Sequence, residues 1–82
     1  MSREEKITKL CRAVRAYRGA AHGKDKEGNT IWSIPPKPAE RTRVLACLET
    51  LGFDLERKFN ELELIDSLET IQEFRQWVET LR

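Results

Sequence analysis

Cys11, Cys47 and His22 are the side chains best suited to nucleophilic or proton-transfer chemistry near neutral pH. Their placement argues against that use. His22 is the sole histidine and stands in a glycine-punctuated stretch, with no cysteine close to it in sequence. Cys11 and Cys47 recur in phase with apolar residues and read as core positions. A Cys–His pair therefore lacks the adjacency that nucleophilic catalysis needs. Glu69, Glu73 and Glu79 fall on the polar side of a C-terminal helix, where solvation explains them better than acid–base work. Gly19, Gly23 and Gly28 do not follow a phosphate-loop spacing. Two cysteines and one histidine fall short of a four-ligand zinc site. No enzyme, metal, cofactor or small-molecule substrate is expected.

The cations carry more information. Residues 1–43 hold eleven Lys/Arg against five Asp/Glu, a net +6, whereas residues 44–82 hold four against nine, a net −5. The total of +1 hides this division. Lys6, Lys9, Arg12 and Arg15 recur at helical spacing opposite an apolar stripe, and Lys37, Arg41 and Arg43 follow further along. Several cations on one surface are what phosphate binding requires, because affinity grows with the number of counterions released. Trp32 lies in the same basic stretch and can stack on an unpaired base. Arg41 and Arg43 flank a helix start, which itself favours anions. The competing explanation is internal: the basic and acidic halves can pack with complementary rims.

One short motif points elsewhere. Asp66-Ser67-Leu68 resembles the attachment triad of acyl carrier proteins, and the resemblance implies that Ser67 carries phosphopantetheine. It covers three residues of 82. In that family the triad opens the second helix with about half the domain to follow; here Glu69 to Arg82 remain. A helix cap accounts for Asp66 and Ser67 equally well.

These residues need elements to position them. Eighty-two residues make one domain, which buries roughly 60–65% of its unfolded surface. Apolar residues at 39% and charged residues at 35% suit a helical chain. No apolar run reaches the roughly 18 residues of a membrane span, and the N-terminal residues lack the apolar stretch of a secretory signal. A cytoplasmic location is expected.

The first helix takes Ser2 as cap with Glu5 as its capping-box partner. Ile7, Leu10, Cys11, Val14 and Tyr17 form its stripe, Arg18 borders it, and Gly19 ends it. Residues 19–37 form a long basic loop punctuated by glycine and proline, with a small hairpin at Lys26 to Trp32 turning on Gly28-Asn29. Ile31, Trp32 and Ile34 can anchor it. Pro35-Pro36-Lys37-Pro38 leads into a second helix that carries Val44, Leu45, Cys47, Leu48 and Leu51 and stops at Gly52. Asp54 caps a short third helix with Leu55, Phe59 and Leu62. Asp66 with Glu69, or Ser67, caps the last, whose stripe is Leu68, Ile71, Phe74, Val78 and Leu81. Trp77 lies at its margin, and Arg75 borders it with a snorkelling stem.

The expected fold is all-α, a small bundle of three to four helices with a long first connection and room for a short β-hairpin. Residues 1–82 form a single helical domain. The expected function is non-enzymatic binding: a basic N-terminal surface that engages an anionic partner, nucleic acid most concretely. The site residues on this reading are Lys6, Lys9, Arg12, Arg15, Lys37, Arg41 and Arg43 on phosphates and Trp32 on a base. The alternative is a protein-interaction adaptor or regulatory subunit, including one that associates with itself. A membrane surface is not expected as a partner, since the apolar side of the first helix lacks Trp and Phe and the core needs it.

Overall fold

Ser2 starts the first helix much as its sequence context demands. Its hydroxyl oxygen accepts the Glu5 N–H at 3.2 Å and its hydroxyl faces the Glu5 carboxylate at 3.3 Å. The computed structural model describes residues 2–18, 21–32 and 38–82. The expected cap at Gly19, Ile34, the residues up to Lys37, and the side chains of His22 and Trp32 lie outside the described residues. Helix α1 spans Arg3–Arg18, and strands β1 (Ala21–Lys24) and β2 (Thr30–Trp32) pair antiparallel. A single 3-10 turn at Pro38–Glu40 leads into α2 (Arg41–Thr50), followed by α3 (Leu55–Ser67) and α4 (Ile71–Glu79). The architecture is thus a four-helix domain with a two-stranded hairpin set in its first connection.

The hairpin is longer than Lys26 to Trp32, because its first strand begins at Ala21. Asp25 shapes the turn: its carboxylate accepts the N–H groups of Glu27 and Asn29, both at 2.9 Å. Gly28 sits at φ +83°, in the left-handed region where a Cβ is disfavoured. The Asn29 N–H, first among these donors, holds the Asp25 carboxyl below its ordinary acid range. The hairpin is moored to α4, since Ile31 bridges to Thr70 and the Thr30 N–H donates to the Gln72 side chain at 3.1 Å.

Gly52 ends α2 as expected. At φ +97° it lets the Phe53 N–H reach back to Leu48 O and its own N–H reach Glu49 O. That is a Schellman closure, which serves carbonyls that the helix leaves unpaired. Asp54 caps α3 through a 2.9 Å bond from the Arg57 N–H.

The buried centre joins all four helices. Ile7, Leu10 and Val14 of α1 meet Val44 and Leu48 of α2, Leu62 and Ile65 of α3, and Phe74 and Val78 of α4. Trp77, expected at the margin, is buried as well: its ring stacks 6.0 Å from Phe74 and its N–H donates to Glu61 at 2.8 Å. Cys11 and Cys47 pack on the core's edge, half-buried rather than enclosed.

Two expectations about α3 need correction. Leu55 and Phe59 do not enter the core; they are 68% and 40% exposed. The helix is turned so that Leu62 and Ile65 face inward, leaving the other two on its flank. Nor do Asp66, Glu69 or Ser67 cap the last helix. Asp66 and Ser67 form the final turn of α3, and Thr70 caps α4 by accepting the Glu73 N–H at 3.0 Å. A helix that must bring Ile65 inward cannot release the chain before that turn is complete.

Candidate nucleic-acid interface

Helix α1 divides its cations between two flanks and a crest. At 3.6 residues per turn, Arg12 lies opposite the Leu10–Val14 stripe, Lys9 is turned towards α2, and Arg15 is turned towards α4. Lys9, Arg12 and Arg15 are exposed and Lys6 is half-buried. Among the described residues, none of these four forms a salt bridge. The ion pairs of the acidic half run within it instead, from Glu49 to Lys58 and from Glu79 to Arg82. The basic face of α1 is therefore not neutralised by α3 and α4.

Between α1 and α2 a cleft of about 380 Å³ is lined by Lys9, Arg12, Ala13, Arg43 and Cys47. Three cations converge there over a small apolar floor. Arg43 is exposed and makes only a long contact, 3.7 Å, to Glu40. Such exposed pairs contribute little, which leaves its guanidinium available to another anion. Burial pushes the Cys47 thiol above its ordinary value, while Arg43 and Lys9 pull the other way more weakly. Cys11 is raised for the same first reason. Neither thiol is set up as a thiolate nucleophile. Among the described residues, no group of three or more His, Cys, Asp or Glu side chains is arranged to hold a metal ion.

The structure separates residues that are close in sequence. Arg41, two positions before Arg43, occupies the other flank of α2. It borders a cleft with Tyr17, Pro38 and Asp66, and its guanidinium lies 6.0 Å from the Phe59 ring. Arg15 lines a third depression, of about 160 Å³, with Cys11, Phe74, Arg75, Val78, Glu79 and Arg82. Sequence reasoning missed Arg75 as a neighbour of the basic face. Its position on the border of the α4 stripe was the available signal. Lys37 and the Trp32 side chain lie outside the described residues.

The acyl-carrier triad is placed differently from what its resemblance implies. Ser67 ends a helix instead of opening one, and its hydroxyl donates to Leu64 O at 2.7 Å. Asp66 accepts a 2.6 Å hydrogen bond from the Tyr17 hydroxyl.

Arg18 lies beside that bond and is only 7% exposed. Its guanidinium donates to Ile65 O at 2.8 Å and to Asp66 O at 2.7 Å, so it caps the C-terminus of α3. Burial lowers its pKa, and the charges of Asp66 and Tyr17 oppose that shift.

Burial, followed by the bond to Asp66, pushes the Tyr17 phenol up to about 12. The folded phenol holds its proton more tightly than the unfolded one. Its stabilisation is therefore complete below about 10, the ordinary phenol value, and is lost as the pH rises towards about 12. An alkaline unfolding step in that window is expected, and Tyr17→Phe should remove the component that tracks tyrosinate absorbance. Tyr17 is the sole tyrosine, so the optical signal has one source.

The chain matches no protein family, no curated protein and no solved structure. No helix among the described residues is long and apolar enough to cross a membrane.

Proposed function

We propose that this protein is a small non-enzymatic domain of the cytoplasm that binds nucleic acid through the basic face of α1. One observation carries the reading: Lys9, Arg12 and Arg43 converge on a single cleft, and among the described residues neither Lys9 nor Arg12 has an ionic partner. A cationic cleft with an Ala13 and Cys47 floor suits a phosphate with its sugar against the apolar patch. The two free thiols suit a reducing compartment.

The test is fluorescence anisotropy with labelled single-stranded DNA, duplex DNA and RNA. Three phosphate contacts imply an affinity loss of about 40-fold between 50 and 200 mM salt. Lys9→Glu with Arg12→Glu should abolish binding while the helical circular-dichroism signal stays intact, since both side chains are exposed. Unchanged affinity in that variant refutes the assignment.

A second reading, contact with a protein partner or a second copy, rests on Leu55 and Phe59, which share an exposed flank of α3. Association through that flank would persist at high salt in concentration-dependent light scattering, whereas charge-driven association would be screened.

A further inference from the structure

Two depressions flank α1. On the α2 side stand Lys9 and Arg43; on the α4 side stand Arg15 and Arg75. Arg12 stands on the crest of α1, at the border of the α2-side cleft. Arg75 is exposed and, among the described residues, forms no salt bridge. Arg82 shares its depression but is occupied by Glu4 and Glu79. The crest turns acidic towards its start, where Glu4 and Glu5 border the depression shared with Thr8, Lys9 and Arg12. The usable cationic surface is thus α1 from Lys9 onward and the two flanking helices.

We infer that α1 enters the major groove of double-stranded B-form DNA, with Lys9 and Arg43 on the phosphates of one strand, Arg15 and Arg75 on those of the other, and Arg12 reaching the base edges. This rests on the nucleic-acid reading above and narrows it to one kind of duplex. A helix with its side chains is roughly 10–12 Å across, and the major groove of B-DNA is about 12 Å wide, so a helix seated there meets a phosphate ridge on each side. A helix with cations on a single flank could only lie along one backbone. The major groove of A-form RNA is too deep and narrow for this seating. Arginine at the crest suits the paired acceptors of guanine.

The experiment compares duplex DNA, duplex RNA and single-stranded DNA of one sequence, using the whole chain and two charge-reversal pairs. These are Lys9→Glu with Arg43→Glu and Arg15→Glu with Arg75→Glu. The expected result is at least a tenfold preference for duplex DNA over duplex RNA and single strands. Either pair should weaken duplex binding by more than tenfold, and the salt dependence should correspond to about four phosphate contacts rather than three. The same pairs made with alanine should each reduce the apparent number of contacts by about two, which guards against a reversal that disturbs folding.

If the Lys9/Arg43 pair abolishes binding and the Arg15/Arg75 pair leaves it unchanged, the two-sided seating is wrong and the single-cleft reading stands. A preference for single strands overturns it in the same way. If the unsubstituted protein binds none of the three probes at 50 mM salt, the nucleic-acid reading itself falls.

Discussion

Leu10→Ala should lower the stability of the domain by about 2–5 kcal/mol, the range for removing a fully enclosed aliphatic side chain and leaving a cavity. Leu10 is completely buried and lies beneath the basic face of α1, packed into the cluster shared by all four helices. A chain of 82 residues has about 4–12 kcal/mol of stability in total, so the substitution removes a large fraction of it. Urea denaturation would show a lower midpoint with little change in slope. Nucleic-acid affinity should follow the folded fraction rather than fall independently, because Leu10 itself faces away from any ligand. A loss below about 1 kcal/mol would contradict the enclosure of that side chain.

Arg18→Met is expected to cost about 2–3 kcal/mol. Methionine keeps an aliphatic stem of similar reach but removes the donors to Ile65 O and Asp66 O, so it separates packing from hydrogen bonding. Two carbonyls at the end of α3 would then be left beside a buried apolar chain, with the negative end of the helix dipole uncompensated. Arg18→Lys keeps the charge but loses the planar guanidinium, and it should recover only part of the difference. An unchanged denaturation midpoint in the methionine variant would show that water serves those carbonyls equally well. Because Arg18 joins the end of α1 to the end of α3, its loss should also lower the protection of amides in the last turn of α3 against hydrogen exchange.

The pattern of what could be foreseen follows from the range of the interactions involved. Local signals read well. Ser2 with Glu5, Gly52 as a helix stop and Asp54 as a cap depend on neighbours a few residues away, and each is found where the chain chemistry places it. The α1 and α4 stripes were legible because a 3.6-residue period records which side must be hidden. The boundary between α3 and α4 was not legible. Asp66, Ser67 and Thr70 are all competent caps, and the choice among them is made by Tyr17, which is 49 residues away and takes the Asp66 carboxylate.

The burial of Arg18 is hidden for the same reason, since its acceptors are backbone carbonyls and backbone carbonyls have no sequence signature. At the candidate interface, Lys9 and Arg12 could be grouped from helical spacing alone. The separation of Arg41 from Arg43, and the approach of Arg75 to Arg15, depend on how α2 and α4 are rotated against α1. Rotation about a helix axis is set by long-range packing, and a charge count along the chain does not record it.

The two ends of the described chain are held side by side. Arg3 donates through Nε to Leu81 O at 2.9 Å, and Arg82 lies 3.3 Å from the Glu4 carboxylate. A linker of a few residues could therefore close the backbone into a ring without moving a helix, and the chain could be reopened at the Asp25–Asn29 turn to give a permuted order of the same elements. Ring closure takes freedom from the unfolded chain and leaves the folded contacts alone, so the cyclic form gains heat resistance without any new packing. The permuted form would place its new ends on the hairpin, leaving the junction beside the Arg15 and Arg75 side of α1 as continuous backbone.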